Sequence, residues 1–326
     1  MSATIAVIGC GTIGARHVQA MAGLDRDARI LIVDPDESAR RRAAGYFAED
    51  APSGRRIEIE ELQAIDALPG AIDVAVVATL AAIRRAAIEQ LLSRAKPRHL
   101  ILEKFLFQRD EDYTAVAALL ERAGAAAWVN CPRRIWPSYR DLRERLKGAG
   151  PIDVRVSAPS RFGIGTSAIH FLDIAAFLSG TVNFELRGDR LDRDLIENPR
   201  GGVEFSGTLY GAGANGEGFG FTAYAGGAAP PLVFLDSARL RIIADEGRQQ
   251  ARISAEEDGW NWRDIPFPTL PQSRMTHLVV KDLLDHGTCG LAPYSESAAL
   301  HRAVLRPLLE HYRKVAEPGA DACPIT

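Results

Sequence analysis

The sequence predicts an α/β protein of two domains: a doubly wound parallel sheet over residues 1–130, and an α+β domain with a broad mixed or antiparallel sheet over residues 131–326. Three observations carry this. As far as residue 130, strand-like runs that are apolar throughout alternate with amphipathic helical stretches, the pattern of a parallel sheet covered on both faces. The first of these runs ends in a glycine-rich turn that opens a helix. Beyond residue 131 the runs alternate polar and apolar residues and are separated by glycine-rich turns, as hairpin-connected strands are. A length of 326 residues suits two domains at roughly 100–200 residues each.

In order, Thr4–Ile8 is a short apolar strand, and residues 12–23 have helical spacing. Arg29–Val33 is a second strand, closed by Asp34-Pro35. Glu37–Phe47 reads as a helix with an arginine-rich outer face, and Ile57 and Ile59 mark a short third strand. Val74–Ala78 is a buried strand, Ala81–Ala95 a helix stopped by Pro97, and His99–Glu103 another strand. Asp110–Ala123 is a helix ending at Gly124, and Ala127–Asn130 is the last strand of the first domain.

In the second domain Tyr139–Leu146 is a helix, Ile152–Val156 an alternating strand, and Ser167–Leu178 an apolar helix. Val203–Tyr210, Gly218–Tyr224, Leu232–Leu235, Leu240–Ala244 and Ala251–Ser254 form the sheet, and His277–His286 and Ser295–Val315 are closing helices. A sheet with one face uncovered by helices suggests self-association, a homodimer or homotetramer by default.

Composition narrows the function. The apolar fraction of 47% and the charged fraction of 25% fit a folded globular protein, not a disordered or fibrous one. A net charge of −3 removes the electrostatic case for a nucleic-acid or anionic-membrane partner. No apolar stretch reaches the ~18 residues of a membrane span, and the N-terminus has no basic segment of a signal peptide. Cys10, Cys131, Cys289 and Cys323 lack paired spacing, which suits a reducing cytoplasm and neither disulfides nor zinc. Nor do the histidines have metal-ligand spacing, so no metal is expected.

Gly9-Cys10-Gly11-Thr12-Ile13-Gly14 is a GxGxxG turn between a strand and a helix. Gly9 serves the tight turn, Gly11 the approach of a pyrophosphate, and Gly14 close helix–strand packing, with the helix N-terminus facing the phosphates. Asp34 stands 20 residues after Gly14, where a carboxylate binds the adenosine ribose hydroxyls. Its charge repels a 2′-phosphate and favours NAD over NADP. Arg40, Arg41 and Arg42 on the next helix could reach such a phosphate, but are read here as a solvated face.

The glycine turn continued through Arg16-His17, the pair Glu103-Lys104 after a strand, and the helix carrying His170 and Asp173 together resemble the Gfo/Idh/MocA oxidoreductases. Ile72–Thr79 looks like that family's fourth Rossmann strand, and Val129–Arg134 like the strand and arginine-bearing turn that lead into its second domain. The resemblance implies NAD(P)-dependent hydride transfer at a hydroxyl or keto carbon of a sugar, cyclitol or sugar derivative. It places Gly9, Gly11, Thr12, Ile13, Gly14, Asp34, Thr79, Glu103 and Lys104 at the cofactor, Lys104 and His170 in catalysis, and Asp173, Thr166, Arg134 and Arg161 at the substrate. The chain departs from the family's pattern at Leu80 and Phe105, each in place of proline, at Arg84 in place of histidine, and at Thr166 in place of the first aspartate of DxxxHxxD.

The chemistry requires a base for the hydroxyl proton and a donor to the developing alkoxide. Lys104 follows a parallel strand at the sheet edge where ligands bind, and the chain has only five lysines against 34 arginines. An ordinary imidazole titrates near neutrality, which suits His170 to acid–base work. Asp173, one turn on, binds substrate or orients His170 or an arginine. His17 is read as structural, and Trp260 and Trp262 as packed in a loop or sheet. Arg133, Arg134 and Arg161, with the His170 helix N-terminus and the charge missing at Thr166, favour an anionic substrate such as a sugar acid or nucleotide sugar, unless the arginines pair with carboxylates such as Asp141 and Asp173. The alternatives are a non-catalytic NAD- and ligand-binding regulatory protein, favoured by Thr166, and a reductase of an imine or enone that needs one proton donor.

Overall fold

A computed structural model describes residues 2–51, 54, 56–159, 162–198 and 201–326. In chain order the main elements are β1 Ala3–Ile8, α1 Thr12–Ala20, β2 Ala28–Val33, α2 Glu37–Glu49, β3 Ile57–Leu62, β4 Ala71–Val77, α3 Ala81–Arg94, β5 Lys96–Glu103, α4 Asp110–Ala123, β6 Ala126–Asn130 and α5 Pro137–Arg145. Then follow β7 Asp153–Pro159, α6 Ile164–Ser179, β8 Phe184–Leu191, β9 Ile196–Glu197, β10 Val203–Glu204, β11 Gly207–Gly213, β12 Gly218–Tyr224 and β13 Leu232–Asp236. The chain closes with β14 Leu240–Asp245, β15 Gln250–Ala255, β16 Arg263–Pro266, α7 Thr276–His286, β17 Ala292–Pro293 and α8 Tyr294–Val315.

Two compact units result. The first holds residues 1–107, 111–132 and 270–295, the second 108–110, 133–269 and 296–326. The expected domain of residues 131–326 therefore needs correcting, because residues 270–295 return to the first unit. There α7 packs on α1 and β4, and β17 pairs antiparallel with β6. An amphipathic helix carries no mark of which core it will cover, so this return could not be read from the sequence.

In the first unit the strand order is β17-β6-β5-β4-β1-β2-β3, and all pairs but β17–β6 are parallel. The six parallel strands thus have the doubly wound order 3-2-1-4-5-6, with the switch point between β1 and β4. Ile5, Val7, Val74, Val76, Leu100 and Leu102 are fully buried, as strands sandwiched on both faces require. Pro97 does not stop α3, which ends at Arg94; it lies inside β5, opposite Ile72.

In the second unit an eight-stranded sheet runs β16-β15-β14-β13-β7-β12-β11-β8, parallel only between β7 and β12. The buried helix α6 packs on β7 and β12, with the Phe171 and Phe221 rings 5.7 Å apart. The edge strands β8 and β16 escaped the sequence reading because charge interrupts their apolar residues, as is usual where an edge must stay soluble. The expected strand Val203–Tyr210 is two strands, divided at Phe205 and Ser206, both buried. Helix α6 begins three residues before the expected Ser167, a difference that bears on the site.

Candidate active site

The glycine turn sits at the carboxyl ends of β1 and β2. Gly9 has φ +89°, which favours glycine, and a Cβ on Gly14 would overlap the Gly9 carbonyl. Gly11 faces open space and precedes α1 without a side-chain cap, so with exposed Thr12 and half-buried Ile13 it leaves the first-turn N–H groups to a ligand. Asp34 binds the turn directly: one carboxylate oxygen accepts the Cys10 N–H at 2.6 Å and the other the Asp36 N–H at 2.9 Å. This is the shape a dinucleotide pyrophosphate and ribose need, and the residues fit that cofactor.

Of the α2 arginines, Arg40 is half-buried and departs from the expected solvated face. Arg40 donates to the Asp34 carbonyl at 2.5 Å and stands 3.6 Å from Glu61, and Arg42 reaches the Cys10 carbonyl at 3.4 Å. Arg41 and Arg42 are exposed as expected, and Arg41 pairs with Glu37 one turn back. Hydrogen bonds to crest carbonyls hold two of the three cations beside Asp34.

At the ends of β4 and β5 the loops are held by Arg84. Its guanidinium is buried and donates to the carbonyls of Thr79, Phe105 and Leu106, the last at 3.0 Å. Burial pushes it down to about 10, against the pull of Glu103. Lys104, half-buried, stands on the loop so fixed, and the buried Thr79 hydroxyl has no protein partner among the described residues. The sequence reading registered Arg84 only as a departure from a pattern. An arginine amid a helix gives no sign that it will tie the loop before that helix to a second loop some 20 residues on.

Glu103 belongs to a buried network rather than to an open crest. One oxygen meets His17 Nε2 at 2.9 Å and accepts from Asn130, while His17 Nδ1 meets the Thr276 hydroxyl at 2.8 Å. Burial pushes the Glu103 carboxyl up, but His17 and then Asn130 more than offset this and hold it below the usual range. The carboxylate is 6% exposed and committed to this network, which counts against the cofactor contact expected of it.

In the second unit Asp173 is fully buried on α6 and accepts from Arg134 Nε at 2.6 Å, while the same guanidinium donates to Glu296. Burial raises the Asp173 carboxyl to about 6 despite Arg134. Arg133 makes a forked contact with Glu246 at 2.7–3.0 Å, and Glu246 also accepts from Tyr139. Both arginines expected to meet an anionic substrate are therefore neutralised by carboxylates. Arg161, the third, lies outside the described residues.

Thr166 changes the argument further. Its hydroxyl donates to Glu204, whose other oxygen accepts the Gly165 N–H at 2.9 Å. A carboxylate from β10 thus meets Thr166, and the helix N-terminus expected to face an anion already holds that carboxylate. With Arg133 and Arg134 paired to carboxylates, the case for an anionic substrate loses those two supports. His170 is half-buried, one turn beyond Thr166 on the same face. Trp260 and Trp262, expected to be packed, are 40% and 41% exposed and lie against the guanidinium groups of Arg241 and Arg252.

Among the described residues no three His, Cys, Asp or Glu side chains are grouped to hold a metal ion. No helix in them is long and apolar enough to cross a membrane. The four cysteines are free thiols.

Comparison with known proteins agrees with this geometry. Residues 3–131 match the Gfo/Idh/MocA family model, described as an oxidoreductase family with an NAD-binding Rossmann fold. A search of the curated proteins returns no match. Solved structures similar in fold include an Agrobacterium radiobacter oxidoreductase in complex with NAD+, L-tartaric acid and magnesium, at 19% identity and TM-score 0.70, over 93% of this chain and 94% of that one. UDP-N-acetylglucosamine 3-dehydrogenase from Acidithiobacillus ferrooxidans is similar at 16% identity and TM-score 0.70, over 97% and 98%. Biliverdin reductase from Synechocystis, in complex with biliverdin and NADP+, is similar at 15% identity and TM-score 0.71, over 94% and 98%.

Proposed function

Because residues 3–131 match the model of the Gfo/Idh/MocA oxidoreductases, a family with an NAD-binding Rossmann fold, we propose that the protein transfers hydride between NAD(H) and a hydroxyl or keto carbon of a sugar, cyclitol or sugar derivative. The observation that carries this is the uncapped glycine turn bound to Asp34 at the switch point of the parallel sheet. The cofactor, when bound, supplies the hydride acceptor or donor. The chain supplies the rest. Lys104, on the loop fixed by Arg84, donates to the reacting oxygen and favours its ionised form. His170 accepts or returns the hydroxyl proton. The sugar class comes from the resemblance and is consistent with the dehydrogenases among the similar folds. The test is nicotinamide absorbance over a panel of polyols, sugars and sugar acids. Turnover of an imine or enone alone would replace this reading with that of a reductase.

NAD is proposed over NADP on the charge of Asp34. Calorimetry is expected to show tighter binding of NADH than of NADPH, and Asp34→Ala is expected to narrow the gap. With Asp34 gone, Arg40 and Arg42 are left beside the ribose site as phosphate partners. Tighter NADPH binding by the parent protein would refute the assignment.

A homo-oligomer is proposed from the sheet face opposite α6. Register places Tyr210, Arg155, Phe234, Ile243 and Arg252 in one row across it, none of them buried. Light scattering is expected to give at least twice the 35.4 kDa chain mass.

A further inference from the structure

Resting on Lys104 as the donor to the reacting oxygen, we propose that His17 is its positioning residue: a closed circuit of five side chains, headed by His17, ties Glu103 to the helix of the glycine turn and so holds Lys104, the next residue, in one frame with that turn. The circuit lies wholly in the first unit. Its members come from α1, the ends of β5 and β6, the turn before α7, and α7 itself.

The order of donors and acceptors fixes the circuit. A carboxylate only accepts, so His17 Nε2, at 2.9 Å, and Asn130 Nδ2 both donate to one Glu103 oxygen. Asn130 Nδ2 also donates to Gln272 Oε1 at 3.0 Å, which leaves Gln272 Nε2 to donate to the Thr276 hydroxyl at 2.9 Å. That hydroxyl meets His17 Nδ1 at 2.8 Å and closes the circuit. Turning Asn130 over would set its oxygen against the carboxylate, and turning Gln272 over would set its amide nitrogen against that of Asn130. His17, Glu103, Asn130 and Thr276 are buried, and Gln272 is half-buried. A buried polar network with its links made holds a single arrangement.

As packing alone the circuit is a costly choice, since apolar side chains would fill the same space without burying an ionised group. What it adds is position. Lys104 stands between two fixed neighbours. Before it, the Glu103 side chain is held by His17 and Asn130. After it, the Phe105 carbonyl is held by the buried Arg84 guanidinium. The other end of the frame is α1, which opens at the glycine turn and carries His17, fully buried, in its last turn. A displacement of about 1 Å at a reacting group can cost about 10²-fold in rate, so a rigid tie between the lysine and the cofactor turn bears directly on turnover.

The test compares His17→Phe, which keeps an aromatic ring and removes both nitrogens, with His17→Gln, which returns a donor toward Glu103. In the substrate-free protein labelled with ¹⁵N-lysine, the Lys104 amide is assigned among the five lysines by its loss in Lys104→Ala. Relaxation dispersion is expected to show μs–ms exchange of that amide in His17→Phe, none in the parent, and little in His17→Gln. With the best substrate of the panel, His17→Phe is expected to lower kcat by about 10-fold or more, to keep the parental NADH stoichiometry, and to raise the isotope effect from nicotinamide deuterated at C4. Loss of folded molecules alone would lower kcat and NADH stoichiometry together and leave the isotope effect unmoved. Thr276→Val opens the circuit on the side away from Glu103 with little change of shape; it is expected to act in the same direction and covers the case that His17→Phe does not fold. A still Lys104 amide or a parental kcat in the folded variants, with Lys104→Ala inactive, overturns the inference and leaves Lys104 as the donor. Parental turnover in Lys104→Ala overturns that reading, and the inference with it.

Discussion

Alanine at Lys104 or at His170 is expected to lower kcat by about 10²-fold or more, with NADH binding retained, because each removes a group proposed to move or hold a proton on the reacting oxygen. The double variant is expected to lose less than the product of the single losses, since groups that serve one proton transfer are not independent. Steady-state kinetics with the best substrate of the panel, alongside NADH titration, checks both statements. Near-parental turnover in His170→Ala would move the acid–base role to another residue. Arg84→Met offers a control on the loop: it is expected to lower kcat with Lys104 still present, because the carbonyls of Thr79, Phe105 and Leu106 lose their common donor.

The second large effect is on stability. Asp173→Ala leaves Arg134 buried with Glu296 as its one remaining ion-pair partner, and breaking a buried pair from one side costs about 3–5 kcal/mol. A fall in Tm of roughly 10 °C is expected from such a loss in a unit of this size. Burial of the Asp173 carboxyl also predicts a pH dependence. The folded Asp173 carboxyl, raised by burial to about 6 from 3.8, binds its proton more tightly than the unfolded one does. Its stabilising contribution is therefore full below the unfolded value and is lost as pH rises through the folded value, by something on the order of 2–3 kcal/mol. Asp173→Asn is expected to abolish that slope between pH 4 and 6. Urea unfolding of both proteins across this window checks it, and parallel curves would remove Asp173 as the source.

How legible the site was follows from how each part is built. The glycine turn, Asp34 and the strands around them are local: a run of apolar residues, a turn that needs glycine, and a carboxylate at the next strand end lie within 34 residues. Periodicity and turn chemistry fix such features before any long-range contact forms. Lys104 could be placed for the same reason, at the end of a strand that is apolar throughout.

The parts that misled were the charges. Arg134, Arg133 and Thr166 looked like a site for an anion because a sequence shows a charge and not its partner. The partners are Asp173 and Glu296, Glu246, and Glu204, at separations of 38 to 162 residues. A buried cation is stable only with such partners, so packing decides whether an arginine faces a ligand or the interior. By itself, then, the sequence determined the doubly wound sheet and its dinucleotide turn, set by short-range pattern, while the candidate histidine came from the resemblance to a family. Only the tertiary structure decided that Arg84 braces the Lys104 loop, that Glu103 is held by His17, and that β10 brings a carboxylate to the helix carrying His170, because each of these is a pairing of polar groups made when distant elements close on one another and exclude water.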